Sequence, residues 1–286
     1  ITLVPPELLN PINTTTYGVG EVIKDAISKG CRNFIIGIGG SATNDGGIGV
    51  LQALGGELLD KSGKQVPFGA EGVEKLASIS CKNLLPELKE CSFRIACDVD
   101  NPLYGEKGCS YIFGPQKGAD PAMVEFLDGQ LKALDAVIQR ELHRAVADVP
   151  GAGAAGAFGA GILAFLDGTL CPGIEAVLDL VDFDGKLKDC DLVITGEGRF
   201  DSQSIRGKVV SGVSRRAKRQ GVPVAVIAGS VAEDVESVSA DPDSGVTAAF
   251  SINRQAMDYS ESRPFSRRNY RYTLENLLRL MKSTHG

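Results

Sequence analysis

Short apolar runs alternate with longer segments of helical periodicity along most of this chain. An apolar run that ends in glycines or small polar residues is typical of a buried strand, whereas apolar residues three or four positions apart are typical of one face of a helix. On this basis we predict strands at 34–38, 94–99, 110–113, 191–195, 222–230 and 246–250. Helices are predicted at 14–30, 48–54, 120–146, 161–167, 174–180, 207–220 and 272–281, and a hairpin around 62–63.

This alternation of strands and helices predicts an α/β fold with a mostly parallel sheet and right-handed crossovers. In such sheets, ligands bind beyond the carboxyl ends of the strands. Glycine-containing loops leave three of these ends, at Gly39, Thr195 and Gly229. We therefore expect the polar groups of the first two loops to share one cleft.

The loop after the strand at 34–38 carries the sequence Gly-Ile-Gly-Gly-Ser-Ala-Thr-Asn-Asp-Gly-Gly, which ends at Gly47 and leads into a helix. A glycine-rich turn between a strand and a helix can aim backbone amides at a phosphate, because no Cβ blocks the approach. Asp45 is the exception, since its carboxylate would cap the helix but repel a bare phosphate. A magnesium ion between the two would reconcile them. The alternative is that the polar residues of this loop only cap the helix.

A second stretch rich in glycine and alanine spans 151–161. Its low complexity is compatible with a linker, with a second phosphate cradle, or with a tight helix contact that needs small side chains. The sequence leaves these three interpretations open.

Composition limits the class of protein. The 286 residues fit either one large α/β unit or two lobes. A formal net charge of −6, from 30 Lys and Arg against 36 Asp and Glu, argues against nucleic acid as a partner, because binding to phosphate backbones needs clustered cations. No apolar run approaches the roughly 20 residues of a membrane span, so no membrane contact is expected.

Cysteine and histidine usage limits the chemistry. The seven cysteines include no Cys-x-x-Cys pair, which favours a reducing cytoplasm over a disulfide framework or a zinc site. The chain has two histidines, His143 and His285, which excludes a three-histidine metal site. So few histidines also argue against a Ser-His-Asp mechanism. We therefore predict a cytoplasmic protein, and the sequence leaves open whether it forms a homo-oligomer.

The polar residues of the expected cleft are rich in carboxylates and cations and include no histidine. Phosphoryl transfer uses such a set: amides and a cation bind the nucleotide phosphates, carboxylates bind Mg²⁺, and one carboxylate accepts the hydroxyl proton. The candidates are Ser41, Thr43, Asn44, Asp45, Glu197, Arg199, Asp201, Gln203, Arg206 and Lys208, with Asp98 as a further option.

A relaxed dinucleotide fingerprint, Gly37-x-Gly39-x-x-Ala42, supports a competing interpretation. Glu57 and Asp60 fall roughly where a ribose-binding acid is expected, which would indicate a dinucleotide-dependent oxidoreductase of a small hydroxy acid. The weakness of this interpretation is the loop carboxylate, which would face the pyrophosphate without a metal.

A set of motifs runs in one order over nearly the whole chain. The motifs lie at 37–47, 97–103, 114–119, 151–156, 195–199, 201–204, 207–208 and 227–230. Together they resemble the class I glycerate kinases, the bacterial ATP:glycerate 2-phosphotransferases. Several motifs in one order are far more specific than any one of them.

The resemblance implies two α/β lobes, one of them Rossmann-like, with ATP, Mg²⁺ and D-glycerate in the cleft between them. We place the Rossmann-like lobe at 1–55 and 159–286, and the second lobe at 56–158. The implied enzyme is a phosphotransferase with an alcohol group as acceptor. It would move the γ-phosphoryl of MgATP to a hydroxyl of D-glycerate to give 2-phosphoglycerate, with 3-phosphoglycerate as the alternative product.

Under this interpretation the glycine loop and nearby charges bind the nucleotide. The loop amides and Lys208 would hold phosphates, while Asp45 and Glu197 would organise Mg²⁺. The predicted nucleotide-binding residues of the loop are Gly39, Gly40, Ser41, Thr43, Asn44, Gly46 and Gly47.

The remaining candidates would act on the acceptor. Asp201 is the predicted general base, with Asp45 as the alternative. Arg199 or Arg206 would pair with the glycerate carboxylate, because a guanidinium binds a carboxylate bidentately. Gln203 completes the predicted substrate contacts.

The chain departs from the family pattern at its beginning. The family usually opens with a strand that leads into an Asp-Ser-Phe-Lys motif and then carries an Asp-Gly-Gly-Glu-Gly-Thr motif, and neither is present. The chain starts at Ile1 without a methionine, so we expect that the N-terminus of a longer protein is missing. Because both motifs are expected to line the same cleft, a catalytically inactive nucleotide-binding fragment is a further alternative.

Overall fold

The computed structural model describes residues 1–204, 209–235, 241, 243–255 and 257–284. The chain forms two compact units, unit 1 (Ile1–Gly173) and unit 2 (Ile174–Gly286). Both units are built on small parallel sheets with helices, so the predicted α/β class with mostly parallel sheets is confirmed.

Unit 1 is organised around a three-stranded parallel sheet. In chain order its elements are α1 (Tyr17–Ser28), β1 (Asn33–Gly37), α2 (Ile48–Ala53), β2 (Glu57–Leu59), α3 (Gly69–Lys75), β3 (Ser78–Ser80), β4 (Ser92–Ala96), α4 (Cys109–Phe113), α5 (Pro121–Leu142), α6 (Ala154–Phe165) and β5 (Thr169–Cys171). Short 3₁₀ turns lie at Pro6–Leu8, Pro86–Glu90 and Pro115–Lys117. The parallel sheet has the order β1-β4-β5, and β2 pairs antiparallel with β3.

The longest helix, α5, follows directly from its sequence. Asp120 caps it, because its Oδ1 accepts a hydrogen bond of 2.8 Å from the amide of Met123. Pro121 occupies the first turn, where no amide donor is needed. The predicted apolar stripe is buried in the core at Leu127, Leu131, Leu134 and Ile138.

Unit 2 contains a second three-stranded parallel sheet. Its described elements are α7 (Gly173–Leu180), α8 (Phe183–Lys186), β6 (Val193–Thr195), β7 (Arg199–Phe200), α9 (Val209–Arg219), β8 (Val224–Ala228), β9 (Ser230–Val231), β10 (Ala248–Ser251), α10 (Tyr259–Ser262) and α11 (Ser266–Thr284). The sheet order is β10-β8-β6, and β7 pairs parallel with β9. All five residues of the central strand β8 are buried, as expected for a parallel strand covered on both faces.

Two sequence-based predictions differ from the structure. The predicted strand at 110–113 is wrong, because the segment forms helix α4. Cys109 and Ser110 are buried while Tyr111 and Ile112 are exposed, a pairwise pattern that fits a helical turn and not strand alternation. Conversely, β5 pairs with β4 although the sequence pattern did not indicate a strand there.

The compact units also divide the chain differently from the predicted lobes. Those lobes, 1–55 with 159–286 and 56–158, assign β1 and β5 to one lobe and β4 to the other. In the structure these three strands form one hydrogen-bonded sheet, so unit 1 includes all of them. None of the helices in the described chain combines the length and apolar character that crossing a bilayer requires.

Candidate functional site

The main cavity of unit 1 lies beyond the carboxyl ends of β1 and β4, where a parallel sheet is expected to bind ligands. Its volume is about 360 Å³. The loop after β1 and the loop after β4 form two of its walls, and the 3₁₀ turn Pro115–Lys117 and the start of α6 contribute to the others. Its polar and glycine lining includes Gly39, Gly40, Ser41, Asp98, Gln116 and Lys117.

A second hollow of about 190 Å³ also borders the residues Gly39, Gly40 and Ser41. Its other lining residues are mostly apolar and come from α1, β1 and α6. The first part of the glycine loop therefore borders two hollows of different polarity. The apolar residues are Val19, Ile36, Ile38 and Phe158.

Gly39 and Gly40 face open space, since a Cβ at either position would meet no atom within 4 Å. Gly40 also has a φ of +74°, which favours glycine. Packing therefore does not explain a glycine at 39. The open space in front of this backbone would be partly filled by a Cβ. A glycine here therefore fits the predicted approach of a phosphate group.

The second part of the same loop points into the protein. Residues 44–47 are buried, and a Cβ on Gly46 would overlap the side chain of Leu134. The amide of Gly46 donates to the carbonyl of Gly156 at 3.0 Å, and the amide of Gly47 donates to Asp45 at 3.0 Å. These glycines are therefore required by packing, and their amides are already bonded within the protein.

Asn44 is likewise directed inward, in contrast to its predicted contact with nucleotide. Its side chain is 1% exposed and donates to Ser110 Oγ at 3.3 Å. It also accepts a hydrogen bond from the thiol of Cys109 at 3.2 Å. The polar part of the loop that borders the hollows is limited to Ser41 and Thr43, whose hydroxyls lie 3.0 Å apart.

Asp45 joins the beginning of α1 to the loop. Its carboxylate is 0% exposed. Oδ2 accepts hydrogen bonds from the amide and hydroxyl of Thr16, at 2.7 and 2.9 Å, and from the hydroxyl of Thr15 at 3.2 Å, while Oδ1 accepts from Gly47. Burial raises the pKa of this carboxyl, and the hydrogen bonds from Thr16 and Gly47 oppose that rise.

This environment does not fit the metal-binding role predicted for Asp45. Mg²⁺ needs carboxylate oxygens that face substrate phosphates or water, whereas both oxygens of Asp45 are enclosed and bonded to donors. The carboxylate instead links the residues that precede the two helices, because it accepts from the amide of Thr16 before α1 and from the amide of Gly47 before α2. The same burial removes Asp45 as a general base in this conformation, because no hydroxyl of a ligand can reach it.

Unit 2 carries the second predicted group of polar residues. Arg199 is largely exposed and lies 3.5 Å from Asp201, whose Oδ1 accepts a hydrogen bond of 3.0 Å from the amide of Gln203. Oε1 of Glu197 is buried and has no hydrogen-bond partner in the described chain. The predicted residues Arg206 and Lys208 lie outside the described residues.

A bound cation would explain why a buried carboxylate oxygen has no hydrogen-bond partner. Glu197 therefore fits the predicted contact with Mg²⁺. Within the described ranges, no three His, Cys, Asp or Glu side chains are grouped to hold a metal ion. Nucleotide-bound Mg²⁺ usually relies on one or two carboxylates together with substrate phosphates, and Glu197 alone is compatible with that mode. The expectation that the two polar loops share one cleft stays a prediction.

Lys117 is a site residue that sequence reasoning did not single out. It is 1% exposed, forms part of the wall of the main cavity, and its Nζ donates to the carbonyl of Thr43 at 2.7 Å. Burial lowers the pKa of its ammonium group. The sequence feature that could have indicated Lys117 is the motif at 114–119, which contains it and has no predicted role.

The glycine-rich stretch at 151–161 is a tight helix contact. Residues 155, 156 and 157 have left-handed φ values of 53°, 75° and 66°, and Gly156 packs so closely that a Cβ would overlap the carbonyl of Thr43. A Cβ on Gly161 would similarly lie 2.6 Å from the carbonyl of Gly46. The stretch thus supports the glycine loop from behind, and Ala155 borders both hollows.

Comparison with known proteins identifies the family. A profile described as the glycerate kinase family matches residues 1–282. The chain is 47% identical over 260 residues to a glycerate kinase of Halalkalibacterium halodurans, covering 91% of this chain and 68% of that protein. It is 51% identical over 250 residues to the glycerate 2-kinase of Escherichia coli K12, covering 87% of this chain and 65% of that protein.

A solved structure shows the same fold. The chain superposes on a Salmonella typhimurium LT2 protein assigned as glycerate kinase 2 with a TM-score of 0.85 and 44% sequence identity, covering 100% of this chain and 74% of that one. The chain thus spans about two thirds to three quarters of the length of these relatives. The predicted enzyme class, a phosphotransferase with an alcohol group as acceptor, is the class of this family. The chain belongs to the glycerate kinase family.

Proposed function

We propose that this protein transfers the γ-phosphoryl group of MgATP to the 2-hydroxyl of D-glycerate, giving 2-phosphoglycerate and ADP. The observation that carries this proposal is the backbone of Gly39 and Gly40, which faces open space at the carboxyl end of β1 in a chain of the glycerate kinase family. The name of the Escherichia coli relative, glycerate 2-kinase, supports the choice of hydroxyl. Transfer to the 3-hydroxyl is the alternative outcome.

The exposed half of the glycine loop supports a smaller set of phosphate contacts than the whole loop. Gly39, Gly40 and Ser41 border the hollows, and the hydroxyl of Thr43 lies beside Ser41. We assign phosphate contacts to these four residues. The inward-facing segment 44–47 keeps the loop in shape.

The remaining roles follow the chemistry of the side chains. Mg²⁺, when bound, neutralises phosphate charge during transfer, and Glu197 would contribute a ligand. Asp201 is proposed as the base that accepts the hydroxyl proton. Arg199 and Gln203 are proposed to contact the acceptor substrate, and the assignments of Arg206 and Lys208 stay predictions.

The dinucleotide interpretation is weaker after the fold is known. Its fingerprint needs an acid about 20 residues downstream, at the end of the parallel strand beside β1. That strand is β4, and the acid after it, Asp98, lies far outside this spacing. Glu57 and Asp60 instead lie on or after β2, which pairs antiparallel with β3 in a separate sheet. A binding module without turnover remains the other alternative, and nucleotide binding without ADP release would identify it.

A substitution at Gly39 tests the phosphate contact. Gly39→Ala places a methyl group in open space, so the free protein should keep its stability, but the methyl should obstruct an approaching phosphate. We expect ATP affinity to fall by at least tenfold, measured by calorimetric titration with MgATP. The matched control is Gly129→Ala on the surface of α5, where a Cβ also meets no atom within 4 Å, and which should leave ATP affinity unchanged. Equal ATP affinity in both variants would contradict the assignment.

A further inference from the structure

We propose that the 360 Å³ cavity beyond β1 and β4 binds the hydroxy-acid anion, with Lys117 as the counter-charge for its carboxylate and Asp98 as the acceptor for one of its hydroxyls. The inference rests on the proposed function and assigns substrate contacts in unit 1 to Lys117, which the sequence did not single out, and to Asp98, which was a further option among the sequence candidates.

The first argument is the incomplete neutralisation of Lys117. Its ammonium group is enclosed, and the carbonyl of Thr43 is the hydrogen-bond acceptor found for it in the described chain. No ion pair is formed by this lysine within the described residues, and the nearby carboxylate of Asp45, which acts to raise the pKa of Lys117, is already bonded to Thr16 and Gly47. A buried charge with one neutral partner is costly, so a carboxylate that enters the cavity would supply the missing opposite charge.

The second argument is the position of Asp98 on the opposite wall. Its Oδ1 accepts a hydrogen bond of 2.8 Å from the amide of Gly173, which fixes the carboxylate beside the end of β4. The side chain is exposed at the cavity, and no hydrogen bond is found for Oδ2 in the described chain. A fixed carboxylate oxygen can accept from a hydroxyl but cannot donate.

The third argument is the combination of these two charges. A cation enclosed in one wall and an acceptor on another match a small molecule with a carboxylate at one end and a hydroxyl further along. The N-terminal ammonium of Ile1, which donates to the carbonyl of Gly40 at 2.5 Å, is a further cation at this cavity. The carboxylate of Asp98, which can accept from a hydroxyl but not from a phosphate, favours a hydroxy acid over a phosphate chain. Gln116, which also lines the cavity, adds an amide that can donate or accept.

The test measures ligand binding without turnover, by calorimetric titration of D-glycerate, propionate, inorganic phosphate and ATP into the folded chain. For Lys117→Met we expect D-glycerate affinity to fall at least tenfold, and by a larger factor than ATP affinity, because Lys117 acts on the phosphate contacts only through the carbonyl of Thr43. The matched control is Lys107→Met, an exposed lysine outside the cavity lining, which should bind all ligands as the wild type does. A Lys117→Met protein that loses ATP or phosphate binding but keeps D-glycerate binding would overturn the proposal.

Propionate lacks both hydroxyls and therefore isolates the role of Asp98. For Asp98→Asn we expect the preference for D-glycerate over propionate to fall at least fivefold, because the hydroxyl loses its charged acceptor. An unchanged preference would overturn this part of the proposal.

A measurement on the wild type covers the case in which Lys117→Met does not fold. In protein labelled with ¹³C at lysine Cε, D-glycerate should shift the signal of the buried lysine, and no shift at saturation would overturn the proposal. The outcome is separable from the proposed function. If D-glycerate binds through these residues but no ADP is released, only the kinase assignment is contradicted. If turnover is unaffected by Lys117→Met and by Asp98→Asn, only the present inference is contradicted.

Discussion

The buried carboxylate of Asp45 gives the sharpest prediction, because the sequence suggested a metal ligand and the structure shows a carboxylate bonded to Thr16 and Gly47 within the protein. In Asp45→Asn, the amide oxygen can replace Oδ2 and keep the hydrogen bonds from Thr15 and Thr16. The new NH₂ group then faces the amide of Gly47, so two donors oppose each other. One buried unsatisfied donor costs about 1–3 kcal/mol, and we expect the free energy of unfolding to fall by about 2 kcal/mol.

Asp45→Ala should cost more. It leaves the amides of Thr16 and Gly47 without acceptors, and it opens a gap beside α1. Two buried unsatisfied amides at about 1–3 kcal/mol each give a loss of about 4 kcal/mol.

Urea unfolding followed by circular dichroism measures both values. The control is Asp25→Asn, an exposed residue in an i, i+4 pair with Lys29, which should change stability by less than about 0.5 kcal/mol. Titration with Mg²⁺ and ATP completes the assay, since a purely structural role predicts that folded Asp45→Asn protein binds MgATP within threefold of wild type. The reasoning is refuted if Asp45→Asn keeps wild-type stability and loses Mg²⁺-dependent binding of ATP.

Three further substitutions test other parts of the structure by urea unfolding. Gly156→Ala should lower the free energy of unfolding by about 3 kcal/mol, because the residue has a left-handed φ and no room for a Cβ. The control Ala155→Gly should change it by no more than about 1 kcal/mol, and similar losses in both variants would contradict the packing argument. Arg216→Met should lower the free energy of unfolding by about 3 kcal/mol, since three carboxylates on α7 and α8 lose their common partner. An unchanged urea midpoint would show that this charge cluster contributes nothing to stability. Burial raises the pKa of Asp135, so protonation of this carboxyl favours the folded state, and this contribution to stability is lost as the pH rises through the folded-state pKa. The stability of Asp135→Asn relative to wild type should therefore increase between pH 4 and pH 7. A decrease would contradict the predicted direction.

The parts of the fold that were predictable are those where local signals agree. The helix from Pro121 carries a cap, a first-turn proline and a long apolar stripe, and each signal points to the same element. The strand before the glycine loop was equally clear. The class of fold follows from such elements, because strands that alternate with helices have few packing solutions.

The missed elements depend on contacts that are distant in sequence. β5 has only three residues, and it becomes a strand because β4 offers it a parallel edge. Helix α4 was misread because its apolar residues, Tyr111 and Ile112, are its exposed ones. Tertiary packing decided both cases, and periodicity within a short window could not reveal it.

The glycine loop shows the same limit for the candidate site. Its composition predicts a backbone that approaches a ligand, but it could not separate residues 39–43, which border the hollows, from residues 44–47, which are buried. That division arises because α5 and α6 cover the second half through Leu134 and Gly156. Lys117 was missed for the same reason, since the acceptor for its ammonium group, the carbonyl of Thr43, lies 74 residues away in the chain.

The central claim is that a protein with this chain phosphorylates D-glycerate. The most direct measurement is a coupled assay of ADP release with ATP and Mg²⁺, with and without D-glycerate, run on this chain and on the natural protein that contains it. The account predicts ADP release that depends on D-glycerate in the natural protein, with a phosphoglycerate signal in the ³¹P spectrum. A folded natural protein that releases no ADP above background when D-glycerate is added would contradict the account.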